Sequence, residues 1–142
     1  MKANRLYGAY AAAFLATAFA QITVADKSLA DPRGLWRAQD GATVRVASCG
    51  GAMCGTMVSP APGKSNTDVD NPDPDKRQRS VVGVEVIISM TPNGPNKWSG
   101  RLYNLAGGQT VDGSIVEVDD RTIRVEGCAG PLCGSQIMTR IR

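Results

Sequence analysis

Histidine is missing altogether from the 142 residues. Its absence removes the commonest general base and every metal motif built on imidazole. Aromatic residues amount to only 5%, and past the amino terminus no segment repeats its apolar residues at helical spacing, which argues against a helical domain. Ser48, Ser59 and Ser135 stand in no nucleophile elbow and no Ser-x-x-Lys context. Asp112 and Glu117 read as surface positions on strands. With so few of the groups that move protons or attack carbonyls, the sequence argues against an enzyme, and no cofactor is expected.

The one long apolar run lies at the start. In "MKANRLYGAYAAAFLATAFAQ", Lys2 and Arg5 precede an uncharged stretch from Leu6 to Ala20, the order of a secretory signal and too short for a comfortable membrane span. Small residues at the first and third positions before a cut occur at Ala18-Phe19-Ala20, Thr23-Val24-Ala25 and Ser28-Leu29-Ala30. Residues 1–30 are therefore expected to be a leader, cut between positions 20 and 30, and residues 31–142 a single domain. Losing Lys2 and Arg5 takes the 16 basic residues to 14 against 13 acidic ones, and the formal charge from +3 to +1. So balanced a chain carries no electrostatic footprint for nucleic acid.

What the sequence does have is a repeated motif. "RVASCGGAMCG" and "RVEGCAGPLCG" hold all four cysteines: Cys49, Cys54, Cys128 and Cys133. An even count in a small exported domain reads as a disulfide framework. The spacing favours local closure, Cys49 with Cys54 and Cys128 with Cys133, each clasping a hairpin across a four-residue loop. Pairing across the repeats, Cys49 with Cys133 and Cys54 with Cys128, and a four-cysteine metal site are the rival readings.

Period-two alternation recurs from Gly34 to the end. Eight short strands are expected: "GLWRA", "TVRVA", "GTMVS", "VVGVEVIISM", "KWSGRLYN", "TVDGSIVEV", "RTIRVEG" and "GSQIMTRI". The fourth places Val82, Val84, Val86, Ile88 and Met90 on one face. Hairpins in succession predict an all-β, antiparallel up-and-down barrel. The exception is "SPAPGKSNTDVDNPDPDKRQRS", a long loop over residues 59–80 that reads as solvated and stiffened by proline. Asp68, Asp70, Asn71, Asp73 and Asp75 crowd oxygen ligands there, but the glycine and terminal glutamate of an EF-hand loop are absent, and no metal is expected.

The segments "GLW", "CGGAMCG", "NPDPDKRQR", "WSGRLYN", "VEGCAGPLCGSQ" and "TRI" together resemble a family of small exported bacterial proteins, domain of unknown function 2147. The resemblance spans nearly the whole chain from Gly34. It implies an exported domain but no activity, and this sequence departs from the pattern at Val111 and Met138, where an aromatic is expected. Gly34, Trp36 and Arg140 also resemble the Gly-x-Trp and closing arginine of lipocalin-like barrels. That resemblance implies a guanidinium lying on the indole face and joining the first strand to the last.

A small barrel can enclose one ligand. The sequence therefore predicts an exported, non-catalytic binder of a small apolar or amphipathic molecule in the cell envelope, periplasmic or secreted. Trp36, Val84, Val86, Ile88, Val116 and Val125 are the expected lining, with Trp98 and Tyr103 offering flat surfaces near an entrance. The bland alternative for the valines is a filled core. A different class of function is an envelope protein-interaction module that presents the long loop and the stapled hairpins; a hydrolase is a more distant third.

Overall fold

The structure, a computed structural model, describes Ala20 and residues 30–141. Apart from Ala20 and Ala30, the expected leader and its cleavage positions lie outside the described residues. Eight strands follow one another: β1 (Gly34–Ala38), β2 (Thr43–Cys49), β3 (Ala52–Ser59), β4 (Glu85–Pro92), β5 (Lys97–Asn104), β6 (Gln109–Asp119), β7 (Thr122–Ala129) and β8 (Leu132–Arg140). Each pairs antiparallel with the next, and β8 closes on β1 through Trp36–Arg140, Arg37–Thr139 and Ala38–Met138. The up-and-down barrel expected from the alternation is the observed fold.

The inward side chains divide the barrel into two halves. At the end where β1 begins, Trp36, Val46, Met90, Trp98, Ile115 and Ile123 are buried and fill the interior. Arg140 seals this floor. Its guanidinium carbon lies 4.2 Å from the centroid of the Trp36 ring. Its nitrogens donate to the backbone carbonyls of Asp120, Arg33 and Asp31 at 2.7, 2.6 and 2.8 Å, while the indole N–H donates to the Pro32 carbonyl. The first strand, the last strand and the β6–β7 turn are thus tied by one side chain.

Both local disulfides are present, Cys49–Cys54 and Cys128–Cys133. The loops they clasp are tighter than the expected four residues. Cys49 pairs with Ala52 around Gly50 and Gly51, whose φ values of 55° and 80° suit a two-residue hairpin turn that glycine adopts freely. The first bridge consequently runs diagonally, because Cys54 faces Ala47, whereas Cys128 and Cys133 face each other directly. The chain path puts the first clasp at the packed end and the second at the opposite end.

Two strands depart from the expected phase. Strand β4 starts at Glu85, so Val81 to Val84 belong to the connection before it; Val82 is 55% exposed, while Val84 is buried. Within β4, Ile87 pairs with Gly55 and Leu102 on the inner face, and Ile88 pairs with Arg101. A bulge at Ser89, with φ 49°, then returns Met90 inward. The backbone of this bulge presses on β5 so closely that a Cβ at Gly100 would stand 2.6 Å from the Ile88 carbonyl oxygen. On β6 the inward residue is Ile115, fully buried opposite Trp98, and Val116 sits between Lys97 and Arg124 on the outer face.

The long connection between β3 and β4 is mostly exposed, as its composition predicts, but it is also ordered. It folds back on itself through a Thr67–Ser80 bridge and the backbone bonds Asp68 N–H to Arg79 C=O and Val81 N–H to Asn66 C=O. A short 3-10 turn at Pro74–Lys76 is capped by Asp73, whose carboxylate accepts from the Asp75 N–H. Ala61 and Val81 are buried beneath the resulting strap.

Candidate functional site

Above the floor the barrel is hollow. A wide-mouthed cavity of about 940 Å³ runs from the other half out to Lys64, Thr67 and Asp70 of the strap, within the size range of small-molecule sites. Its inner wall includes Val44, Met57, Ile87, Leu102, Val125 and Met138. Glycines make this space: Gly113 gives up its side-chain volume to Leu102, and Gly134, on the inward side of β8, would direct a Cβ into open space. The mouth is bordered by the β1–β2 turn, the strap, the β5–β6 turn and the stapled β7–β8 hairpin.

Of the residues expected to line a site, Val86, Tyr103 and Val125 border the cavity. Trp36 and Trp98 lie in the packed floor, Val84 is buried beside the strap, and Ile88 and Val116 take outer-face register. Val111 and Met138 both line the cavity. Ile87 escapes the sequence reading because the bulge at Ser89 shifts the phase of β4, and Leu102, inward on β5 opposite Ile87 and Val111, is not singled out. Sequence reading also missed Gln136, which sits opposite Val125 in the inner wall and whose side chain makes no hydrogen bond to another described residue. A lone glutamine at an inward strand position was the available signal.

Tyr103 anchors the strap. Its hydroxyl donates to the Asp68 carboxylate at 2.7 Å, and the same carboxylate accepts from Asn71 Nδ2 at 2.8 Å and from Arg79 Nε at 3.0 Å, with Arg79 Nη2 in ion-pair contact at 2.8 Å. The Asp68 side chain is wholly buried. Burial alone would push its carboxyl upward, but the bonds from Asn71, Tyr103 and Arg79 outweigh it and hold the pKa below the ordinary value. Tyr103 moves the other way, raised by burial and by its bond to Asp68. Asn71 also accepts from the Asp73 N–H, and its carbonyl accepts from Arg77. Three of the residues that suggested calcium thus serve as strap architecture, with Asp68 and Asn71 at its centre and Asp73 as a cap.

An eight-stranded barrel with a tryptophan floor, a closing arginine and a one-ended cavity has a lipocalin-like fold. The chain belongs to the family described as "Uncharacterized protein conserved in bacteria (DUF2147)", whose profile matches residues 34–140. Among solved structures it is similar to protein HP1028 from the human pathogen Helicobacter pylori, described as belonging to the lipocalin family, at 19% identity, with a TM-score of 0.70. The alignment covers 79% of this chain and 84% of that one. At that identity the likeness concerns the fold. No curated protein matches the sequence.

Proposed function

We propose that the mature domain is an exported, non-catalytic carrier or sensor that holds one small apolar or amphipathic molecule in the upper half of the barrel. The observation that carries this reading is the cavity itself, whose wall is mostly aliphatic but includes the Gln136 carboxamide. Aliphatic surface supplies affinity by leaving water, and a few polar groups fix orientation. Trp36, Val84, Ile88, Trp98 and Val116 drop out of the proposed contact set, and Ile87, Leu102 and Gln136 enter it. Export is supported by the leader-like residues 1–30 and by two disulfides, which persist in oxidising compartments; among the described residues, no helix is long and apolar enough to cross a membrane.

Native mass spectrometry of the domain refolded from denaturant, mixed with an uncharged monoacylglycerol, tests the assignment. The expected result is one bound molecule, lost in Gly134→Phe, whose ring would project into the cavity. Equal binding by the variant would place the ligand elsewhere, and an absence of binding across a panel of apolar and amphipathic probes would remove the reading. The envelope-interaction reading is favoured by a separate feature of β8.

A further inference from the structure

Strand β8 overhangs its neighbour. β1 ends at Ala38, opposite Met138, but β8 continues to Leu132 and stays paired with β7 over its whole length. From Ile137 back to Leu132 its other edge therefore has no strand beside it among the described residues, an overhang of about 17 Å at strand rise. The direction of the backbone groups follows from the closing ladder. The Ile141 N–H donates across to Leu35 of β1, and the Arg140 N–H donates the other way, to Arg121. Odd-numbered residues of β8 thus turn their N–H and C=O toward the open side. Ile137 finds only a substitute there, the Gln39 side-chain oxygen at 3.5 Å. Cys133 and Ser135 have no backbone partner on that side among the described residues.

The open edge adjoins the cavity. Gln39, Asp40, Lys64 and Ser65 on one side and Leu132, Gly134, Ser135 and Gln136 on the other border the same space. A strand laid along β8 would place its inward side chains beside Gly134, where nothing stands within 4 Å of a Cβ position, and against Leu132, which is 77% exposed. Unblocked edges are otherwise protected by charge, proline or a bulge, and Leu132 to Ile137 carries none of these.

We propose that this notch is a peptide-binding site: an extended, uncharged segment of another protein adds as a strand to the edge of β8 at Cys133–Ile137 and lodges an apolar side chain in the cavity mouth. Main-chain hydrogen bonds to Cys133 and Ser135 supply register, and the space over Gly134 selects the side chain. The site goes beyond small-molecule binding and gives the stapled hairpin a role, because the Cys128–Cys133 bridge holds the overhang straight without help from β1.

The test is fluorescence anisotropy with a labelled, end-capped peptide of alternating threonine and valine, measured on wild type and on Ser135→Pro. Proline removes an N–H that has no internal partner, so the barrel tolerates it at an edge. The expected result is saturable binding by wild type, weakened about tenfold or more in Ser135→Pro, the equivalent of one main-chain bond. Should the proline disturb the far-ultraviolet circular dichroism, the same loss is read on wild type with a peptide N-methylated at alternate residues. Equal affinity for the methylated and unmethylated peptides overturns the proposal. So does a wild-type protein that ignores the peptide but sediments as a dimer dissociated by Ser135→Pro, which would make a second copy the occupant. Loss of monoacylglycerol binding with peptide binding retained would instead strike the small-ligand reading alone.

Discussion

Replacing Asp68 by alanine should undo the strap before it undoes the barrel. The carboxylate receives three hydrogen bonds, from Tyr103, Asn71 and Arg79 Nε, at 2.7 to 3.0 Å, and Arg79 Nη2 adds an ion-pair contact at 2.8 Å. Hydrogen bonds to a charged group contribute about 1.5–3 kcal/mol each, which would sum to far more than the strap is worth. Two corrections lower the figure. Arg79 is 39% exposed, so its guanidinium regains water once released, and the strap can detach as a local unit, capping the loss at its own docking energy. About 3 kcal/mol remains, and with a urea slope of about 1.5 kcal/mol per molar the midpoint should fall by about 2 M. Amide exchange gives the finer readout. Asp68, Asn71 and Val81, whose N–H groups are bonded inside the strap, should lose protection, while Ile115 and Ile123 in the barrel floor keep most of theirs. Uniform loss across strap and floor, or a midpoint shift below about 0.3 M, would refute the idea that Asp68 is the pin of a separable strap.

The same cluster sets a pH window. The lowered Asp68 carboxyl contributes stability that is fully present above its unfolded pKa of about 3.9 and is lost as pH falls through the folded value. The raised Tyr103 hydroxyl contributes below about 10 and loses its contribution as pH rises through its folded value. Urea midpoints of Asp68→Asn and Tyr103→Phe against wild type should converge at the acid and alkaline ends respectively; parallel curves would deny the shifts. Arg140→Ala should cost about 2–3 kcal/mol in urea unfolding, from the lost indole contact and three carbonyl bonds partly replaced by water, and an effect below about 0.5 kcal/mol would show the closure to be ornamental. Gly100→Ala should cost about 2 kcal/mol or more by driving a methyl into the β4 bulge, and a neutral result in the same assay would mean that the bulge relaxes freely. Removing either disulfide as a double serine variant should cost about 2 kcal/mol, the entropy of a short loop, but only loss of Cys128–Cys133 should weaken peptide binding; equal effects on binding would detach that bridge from the notch.

The barrel was legible because each strand has one dry face and one wet one, so Val44 and Val46 on β2, or Ile123 and Val125 on β7, report their own orientation. The clasps were legible because cysteines five residues apart close only a tight hairpin. Continuous apolar runs carried no such information: in "EVIISM" and "SIVEV" the neighbours on both faces are aliphatic, so one bulge at Ser89 displaces the expected lining from Ile87 to Ile88, and Val116 passes for Ile115. The strap was opaque for a different reason. Its order depends on Asp68 meeting Tyr103, 35 residues away, and nothing in a proline-rich acidic stretch announces a buried carboxylate. Nor does alternation fix strand length, so the overhang of β8 beyond Ala38 appears only in the pairing.

The central claim, a packed floor beneath a hollow that takes an apolar tail, is tested most directly by crystallising the domain with a monoacylglycerol brominated at its chain end and collecting at the bromine edge. The account predicts one anomalous peak inside the barrel, between Leu102 and Val125 and above Ile115, with the glycerol head toward Gln136 or the mouth. Bromine density only on the outer wall, or an interior closed by the side chains of Met57, Ile87 and Met138 with no room for the chain, would contradict it.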